Sequence, residues 1–438
     1  MSPPNKQSVQ PLLQPGAGAT VDQWLAYLEA IHPTEIDLGL DRVLVVLRRL
    51  FPRKPDARII TVAGTNGKGS AVAAVEAMLH SAGRRTGAYT SPHIQKYNER
   101  VRVNGVDIDD AALVSAFERV QAARQNVSLS YFEFGTLAAF VAFDEAGVDD
   151  WVLEVGLGGR LDAVNVLDAD LVIITSVDID HVAFLGDNRE VIGFEKAGVL
   201  RPGIPAVYAD VDPPRSVLQQ VAAQKVPLSL AGREYQLREP EASGEAGATA
   251  LISYQGSEIR VPAGPLPVQS VAAAVVAIRL LQPDLGIEVI EEALADVRVP
   301  GRFEKMGRNP DIFVDVGHNP HAARWLSSRL ASLKRAGQRV HAVYAALADK
   351  DVEGVFEAMR SVVDVWWLAG LTVNRGLSSE SLRARADESG IHVSEHRQTV
   401  TEAINSALSE AEETDLIIVF GSFYTVAEAR ARLGGDVS

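Results

Sequence analysis

Residues 61–70 read Thr61-Val62-Ala63-Gly64-Thr65-Asn66-Gly67-Lys68-Gly69-Ser70, and this run decides the fold. An apolar stretch, Arg58-Ile59-Ile60-Thr61-Val62, leads into it, and a helical pattern from Ala71 to about Ala82 follows. Strand, glycine loop and helix form an arrangement that binds phosphate. Small residues let backbone N–H groups converge on an anion, the helix N-terminus adds partial positive charge, and a lysine reaches the terminal phosphates. The common P-loop has four residues between its first two glycines. Here only Thr65 and Asn66 separate Gly64 from Gly67, and Gly69 comes between Lys68 and Ser70, so the loop is a variant. The alternative is an ordinary glycine-rich turn, but a lysine at the mouth of a helix is unfavourable unless an anion compensates it.

Outward from this loop, apolar runs at 58–63, 151–155, 170–175 and 204–208 alternate with helical stretches. That alternation predicts βαβ units and a mostly parallel sheet buried on both faces. Residues 233–262 alternate more loosely and carry turn residues, which suits a small antiparallel element. Pro300-Gly301-Arg302 marks a break, after which five more strand candidates follow at 311–316, 339–345, 364–369, 391–394 and 415–421. The expected fold is therefore α/β: a P-loop domain with a mostly parallel sheet over 20–299, then a smaller Rossmann-like α/β domain over 300–438. Residues 1–19, rich in Pro, Gln, Gly and Ser, are expected to be disordered or loosely attached. Thr20 with Gln23 forms the pattern of a capping box, and a second amphipathic helix follows Asp41. A ligand shared by two α/β domains belongs in the cleft between them, at the C-terminal ends of the strands.

The 438 residues carry 47% hydrophobic side chains, enough for two cores, and a net charge of −15 that argues against nucleic acid as a partner. There is no cysteine, which removes disulfides, thiolate metal sites and cysteine nucleophiles and fits a reducing compartment. No apolar stretch is long enough to span a membrane, and no secretory signal is expected.

Several further residues carry chemistry. Trp151-Val152-Leu153-Glu154 delivers a carboxylate near a strand end, before the glycine turn 156–159, where a nucleotide-binding sheet holds Mg²⁺. A helix-capping acid is the alternative, though a glutamate in an apolar strand is costly unless paired or metal-bound. His181 follows the strand at 170–175 beside Asp178 and Asp180; structural and metal-binding readings are balanced there. Locally, Glu195-Lys196-Ala197-Gly198 reads as an exposed helix end with a surface lysine. In the second domain, Asp315 could accept hydrogen bonds from ribose hydroxyls, His318 could face phosphates, and Arg302 has a fork suited to phosphate. The same segment also reads as a capped helix start, with Pro320 in the first turn.

Together these segments resemble the dihydrofolate synthase/folylpolyglutamate synthase family, a branch of the ATP-dependent Mur-type ligases. The resemblance runs from about Gln23 onward. Its motifs are Ile36-Asp37-Leu38-Gly39-Leu40, the loop Gly64–Ser70, Thr90-Ser91-Pro92-His93, Tyr131-Phe132-Glu133-Phe134, Leu153–Asn165 and Glu195–Gly198. Further along come Pro300-Gly301-Arg302-Phe303, Asp315–Pro320, Leu347-Ala348-Asp349-Lys350-Asp351 and Gly421-Ser422-Phe423-Tyr424-Thr425-Val426. The order Lys68-Gly69-Ser70 points to the folate branch rather than the cell-wall branch.

The resemblance implies a cytoplasmic, monomeric ligase that uses ATP and Mg²⁺, with two metal ions. It would activate a carboxylate as an acyl phosphate and join it to L-glutamate. The acceptors implied are 7,8-dihydropteroate and reduced folates. Carried over by position, Thr65, Asn66, Gly67, Lys68, Gly69, Ser70, Ser270, Arg302 and Asp315 would bind ATP, and Ser91, Glu154 and His181 would hold Mg²⁺. Lys196 corresponds to a lysine that family members carry as a carbamate, a further metal ligand, and Lys68, Lys196 and His318 would be catalytic. The pteridine substrate would lie against Ile36, Asp37, Leu38 and Gly39, against Ser130, Tyr131, Phe132 and Glu133, and against Leu161, Asp162 and Ala163. The chain departs from the family at Ser270, where asparagine is frequent, and at Gly317, where alanine is common. Two rivals share some of these features: a Mur-type ligase for another acid, and a nucleotide-binding regulator without catalysis. The second has no need of Lys68, Glu154, His181 and Lys196 together.

Overall fold

The computed structural model describes residues 14–16, 18–32, 37–240 and 248–434. Most of the segment 1–19 and the candidate contact Ile36 lie outside the described residues. Within that segment, Gln14 accepts a hydrogen bond from Gln121 at 3.1 Å, and Ala19 packs on the core.

Eight strands build the first sheet: β1 (Arg58–Ala63), β2 (Thr86–Tyr89), β3 (Val101–Val103), β4 (Val106–Asp107), β5 (Asp150–Glu154), β6 (Leu171–Ile174), β7 (Ala206–Tyr208) and β8 (Leu228–Leu230). Their order is β4-β3-β2-β5-β1-β6-β7-β8. From β2 to β8 all neighbours are parallel, and β3 and β4 extend the edge antiparallel. The mostly parallel sheet expected from the alternating pattern is thus present. The sequence pattern missed β2, β3, β4 and β8, which are too short to show a period. Strand β2 also carries Gly87, where a Cβ would lie 2.5 Å from the Phe143 ring, so the helix above can pack only on a glycine.

Helices cover both faces, as a parallel sheet requires. Lys68–Ser81 and Val268–Leu281 bury one face, and Asp110–Arg124 and Tyr131–Glu145 the other, joined there by Val21–Ala30 and Asp41–Leu50. The capping box at Thr20 is formed, with its side chain accepting from Gln23 N. The central register pairs Val62 with Glu154 and Ala63 with Ile174. The glycine loop, Glu154 and the segment 175–181 therefore leave the sheet at one edge.

A three-stranded antiparallel sheet follows, from β9 (Tyr235–Arg238), β10 (Thr249–Tyr254) and β11 (Ser257–Pro262), in the region where the looser pattern suggested one. The last sheet contains β12 (Glu304–Gly307), β13 (Asp311–Asp315), β14 (Val340–Tyr344), β15 (Val365–Ala369), β16 (Val393–Arg397) and β17 (Leu416–Phe420), in the order β12-β13-β17-β14-β15-β16. It is parallel except at β12, a partly polar edge strand with no apolar run to announce it. Among the described residues no helix is long and apolar enough to cross a membrane.

Candidate active site

The glycine loop is held by its neighbours. Gly67 caps the helix in a left-handed conformation at φ +82°, and a Cβ there would lie 2.2 Å from Ser270 Oγ. Glycine alone suits both demands. The helix starts at Lys68, earlier than its apolar pattern, because Gly69 and Ser70 hide the first turn. Lys68 Nζ donates to the carbonyls of Gly64 and Thr65, each at 3.2 Å. Burial lowers its pKa, against the opposing pull of Glu154 and Asp180. Ser70 Oγ, two residues on, is buried without a hydrogen-bond partner among the described residues.

Glu154 is buried at the end of β5, and one carboxylate oxygen accepts from Ser91 N at 3.2 Å. Burial raises its pKa, partly offset by Lys68 and Arg302. Lys196, read locally as a surface lysine, is instead buried, and its Nζ donates to Gly64 O at 2.9 Å. The reason lies in two glycines. A Cβ on Gly159 would lie 2.9 Å from Glu195 O, and one on Gly198 would lie 2.3 Å from Arg160 Cβ, so the turn at 159–160 closes over the helix end. Burial, reinforced by Lys68, brings the Lys196 pKa down to about 7. His181 caps the helix Val182–Leu185 at φ +52°. Burial lowers its pKa to about 4 despite Asp180, leaving a neutral imidazole near neutral pH, the form that binds metal.

The last, six-stranded sheet supplies the opposing wall. Asp315 ends β13, and its two oxygens accept from Phe303 N at 2.8 Å and Gly317 N at 2.7 Å, leaving a lone pair on each for a ligand. Burial raises its pKa and Arg302 opposes this. The Arg302 guanidinium lies 5.3 Å from the centre of the Phe423 ring. Asn319 caps the helix Pro320–Leu333, so the capped-start reading and the presentation of His318 both hold. His318 Nδ1 lies 3.0 Å from Val316 O and Nε2 lies 3.3 Å from Asp180 Oδ2. Both partners are oxygen acceptors, so the ring is held between the two domains' chains.

Asp180 joins the two walls. Its carboxylate accepts from Lys350 Nζ at 2.7 Å and Asn319 Nδ2 at 3.0 Å, in addition to His318. Burial pushes its pKa up, but His318, His181 and Lys350 more than reverse this and hold it far below the usual carboxylate range. Nearby, Asn66 and Asn319 exchange side-chain hydrogen bonds at 3.2 and 3.0 Å, and Arg324 reaches Asp178 at 3.1 Å. The sequence marked Asp180 only as a neighbour of His181 and placed Lys350 only within a family motif; their pairing needed the fold.

A cavity of about 730 Å³ lies between the walls. Among the predicted residues it is lined by Thr65, Asn66, Gly67, Lys68, Ser70, Ser91, Glu154, His181, Ser270, Arg302, Asp315 and His318. Gly69 faces Glu154 from just outside this lining, since a Cβ there would lie 3.6 Å from Glu154 Oε2. Lys196 opens instead into a small adjoining crevice shared with Gly64, Lys68, Asp180 and His181.

The predicted pteridine contacts form a separate group outside the cavity lining. Asp37 and Glu133 are bridged by Arg42, at 2.6 and 2.8 Å, and Ser130 and Glu133 complete a capping box. Asp162 caps the turn Ala163–Val166, with burial raising its pKa to about 6. Phe132 packs against Gly156, whose missing Cβ would lie 2.6 Å from the ring. Leu38, Gly39 and Leu161 are half-buried, and Tyr131 packs on Tyr97.

Among the described residues no three His, Asp or Glu side chains are grouped to hold a metal ion alone. The donors present, Glu154, His181, Ser91 and the orphaned Ser70 hydroxyl, fit a cation that takes its remaining ligands from a nucleotide.

Comparisons with known proteins bear on the family and the overall fold. The family model for the Mur ligase glutamate ligase domain matches residues 301–423. The dihydrofolate synthase/folylpolyglutamate synthase of Escherichia coli is 38% identical over 413 residues, covering 94% of this chain and 95% of that protein. The Haemophilus influenzae protein of the same description is 38% identical, covering 95% and 98%. Among solved structures, Escherichia coli FolC in complex with DHPP and ADP superposes with a TM-score of 0.90 at 36% identity, covering 97% of this chain and all of that one (100%). The bifunctional folylpolyglutamate synthase/dihydrofolate synthase from Yersinia pestis, complexed with AMPPNP and Mn ion, gives 0.88 at 38% identity, covering 96% and 100%.

Proposed function

The chain belongs to the dihydrofolate synthase/folylpolyglutamate synthase family of Mur-type ligases, and we propose on that premise how its own residues divide the work of an ATP-dependent glutamate ligase. It joins L-glutamate to 7,8-dihydropteroate, forming dihydrofolate, and to reduced folates, forming polyglutamates. The observation that carries the reading is the meeting of the glycine loop with Arg302, Asp315 and His318 in one cavity.

The reaction has two steps. A carboxylate oxygen of the acceptor attacks the γ-phosphorus of ATP, ADP leaves, and an acyl phosphate results. The glutamate amine then attacks the acyl carbon, phosphate departs, and the amine loses its proton. Negative charge moves through the transferring phosphoryl group, so catalysis rests on positioning and charge compensation. Backbone N–H groups at 65–70 cradle the phosphates, while Lys68 and Arg302 approach from opposite domains. Asp315 receives the ribose, and His318 faces the phosphates. Ser270 packs against Gly67 and contributes a hydroxyl where relatives often have an amide.

A bound nucleotide and divalent metal belong to this chemistry; the cation, Mg²⁺ in this reading, would neutralise charge on the phosphates and be held by Glu154, Ser91 and His181. Lys196 becomes a carbamate. Its lowered pKa supports this, because CO₂ adds only to a neutral amine. The pteridine lies against Asp37–Gly39, Ser130–Glu133 and Leu161–Ala163. The enzyme acts as a monomer, with its domain boundary near residue 300, on the cytoplasmic side where ATP is available.

The test is ADP release by the purified protein with Mg-ATP and L-glutamate, using 7,8-dihydropteroate or tetrahydrofolate as acceptor. Release with both is expected. ADP release that ignores both acceptors would overturn the reading.

A further inference from the structure

Arg100 is a buried cation with no anion. It ends the short 3₁₀ helix Tyr97–Arg100, is 9% exposed, and lines the cavity. Among the described residues no carboxylate lies within ion-pairing distance of it, and its one hydrogen-bond partner is neutral: Nε donates to His93 Nδ1 at 2.9 Å. That bond puts the imidazole proton on Nε2. Two aromatic faces hold the guanidinium, with Tyr97 5.1 Å and Tyr131 5.6 Å from ring centre to Cζ. Such a desolvated charge is costly unless something answers it. Both rings and the imidazole orient the fork without neutralising it, as a receptor for a carboxylate requires.

Three facts bear on which carboxylate. Every side chain holding Arg100 comes from the first domain, and Tyr131 belongs to the proposed acceptor side. Arg100 also follows the segment whose Ser91 meets Glu154, where the reacting carboxyl must lie. Dihydropteroate has one carboxylate, the one that reacts. A folate has another, the α-carboxylate of the glutamate it already carries. We propose that Arg100 binds this non-reacting α-carboxylate and thereby determines the extension of folates, while dihydropteroate is used without it. The proposal rests on the ligase reading above.

The experiment compares wild type, Arg100→Gln and Arg100→Lys, measuring KM for tetrahydrofolate, for dihydropteroate and for L-glutamate. A lost charge-assisted bond corresponds to a rise of roughly ten-fold or more in KM for tetrahydrofolate, with partial recovery in Arg100→Lys. The other two KM values should stay within about two-fold. An equal loss with both acceptors, a raised KM for glutamate, or no change would overturn the proposal. Wild type inactive with both acceptors would instead overturn the ligase reading. A variant that does not fold is bypassed from the substrate side: wild-type protein should bind tetrahydrofolate about ten-fold more tightly than tetrahydropteroate, measured by quenching of intrinsic fluorescence, and equal binding would overturn the proposal.

Discussion

Lys196 and Lys68 aim their amino groups at the same carbonyl, that of Gly64, from 2.9 and 3.2 Å. Burial lowers the pKa of both amines, and for Lys196 burial together with the charge of Lys68 brings it down to about 7.

The sign of the pH effect follows. Above about pH 7 the Lys196 amine is largely neutral and can take up CO₂; below it the amine is protonated and cannot. Activity at fixed bicarbonate should fall as the pH drops through 7. A carbamate carbon should appear by NMR in ¹³C-bicarbonate and be absent from Lys196→Ala, whose turnover should fall by about 100-fold, the upper range for losing a metal-site group. Unchanged turnover in that variant would remove the carbamate.

Removing the charge of Asp180 takes from a buried cation its nearest anion. Lys350 is 8% exposed, and its Nζ lies 2.7 Å from Asp180 Oδ1 and 3.7 Å from Asp349 Oδ2. Asp180→Asn should destabilise the ligand-free protein by about 3 kcal/mol, the low end of the cost of an unpaired buried charge, since Asp349 remains. Adding Lys350→Met should recover much of the lost Tm. If the double variant melts no higher than the single, the pair is not coupled.

The position of Lys196 depends on backbone contact at two glycines, so a single methyl group should disturb it. Gly198→Ala would bring a Cβ to 2.7 Å from Arg160 Cα. The turn and the helix end must then separate. Turnover should fall by roughly ten-fold or more, because small misplacements of a catalytic group are expensive, while circular dichroism and the KM for ATP change little. Normal turnover would show that the turn does not position Lys196.

Glu154→Gln keeps the shape and the acceptor for Ser91 N but removes the charge. The Mg²⁺ concentration giving half-maximal activity should rise about 10–100-fold. A titration curve that superposes on the wild type would take Glu154 out of the metal site.

The sequence made the long, buried features legible. β1, β5, β6 and β7 stand out as apolar runs, and the glycine loop declares its chemistry through spacing. Short strands such as Thr86–Tyr89 do not, because four residues with a glycine among them have no readable period. Burial at a helix end was equally hidden: Glu195-Lys196-Ala197-Gly198 looks polar, and only the close approach of 159–160 makes Lys196 an interior group. The contacts of Asp180 with Asn319 and Lys350 span 139 and 170 residues, and nothing local in the chain announces them.

The chain passes between its two large sheets only once. Every strand of the first ends by Leu230, and every strand of the last begins at or after Glu304. One covalent thread therefore acts as a hinge pin, and the clasp opposite is made of Asn66–Asn319, Asp178–Arg324 and Asp180–Lys350. Apart from Ile94, which packs on the core of the last sheet, such a clasp is undone by water and ions. The rate at which products escape should accordingly rise with salt, even where the chemistry itself gains nothing from it.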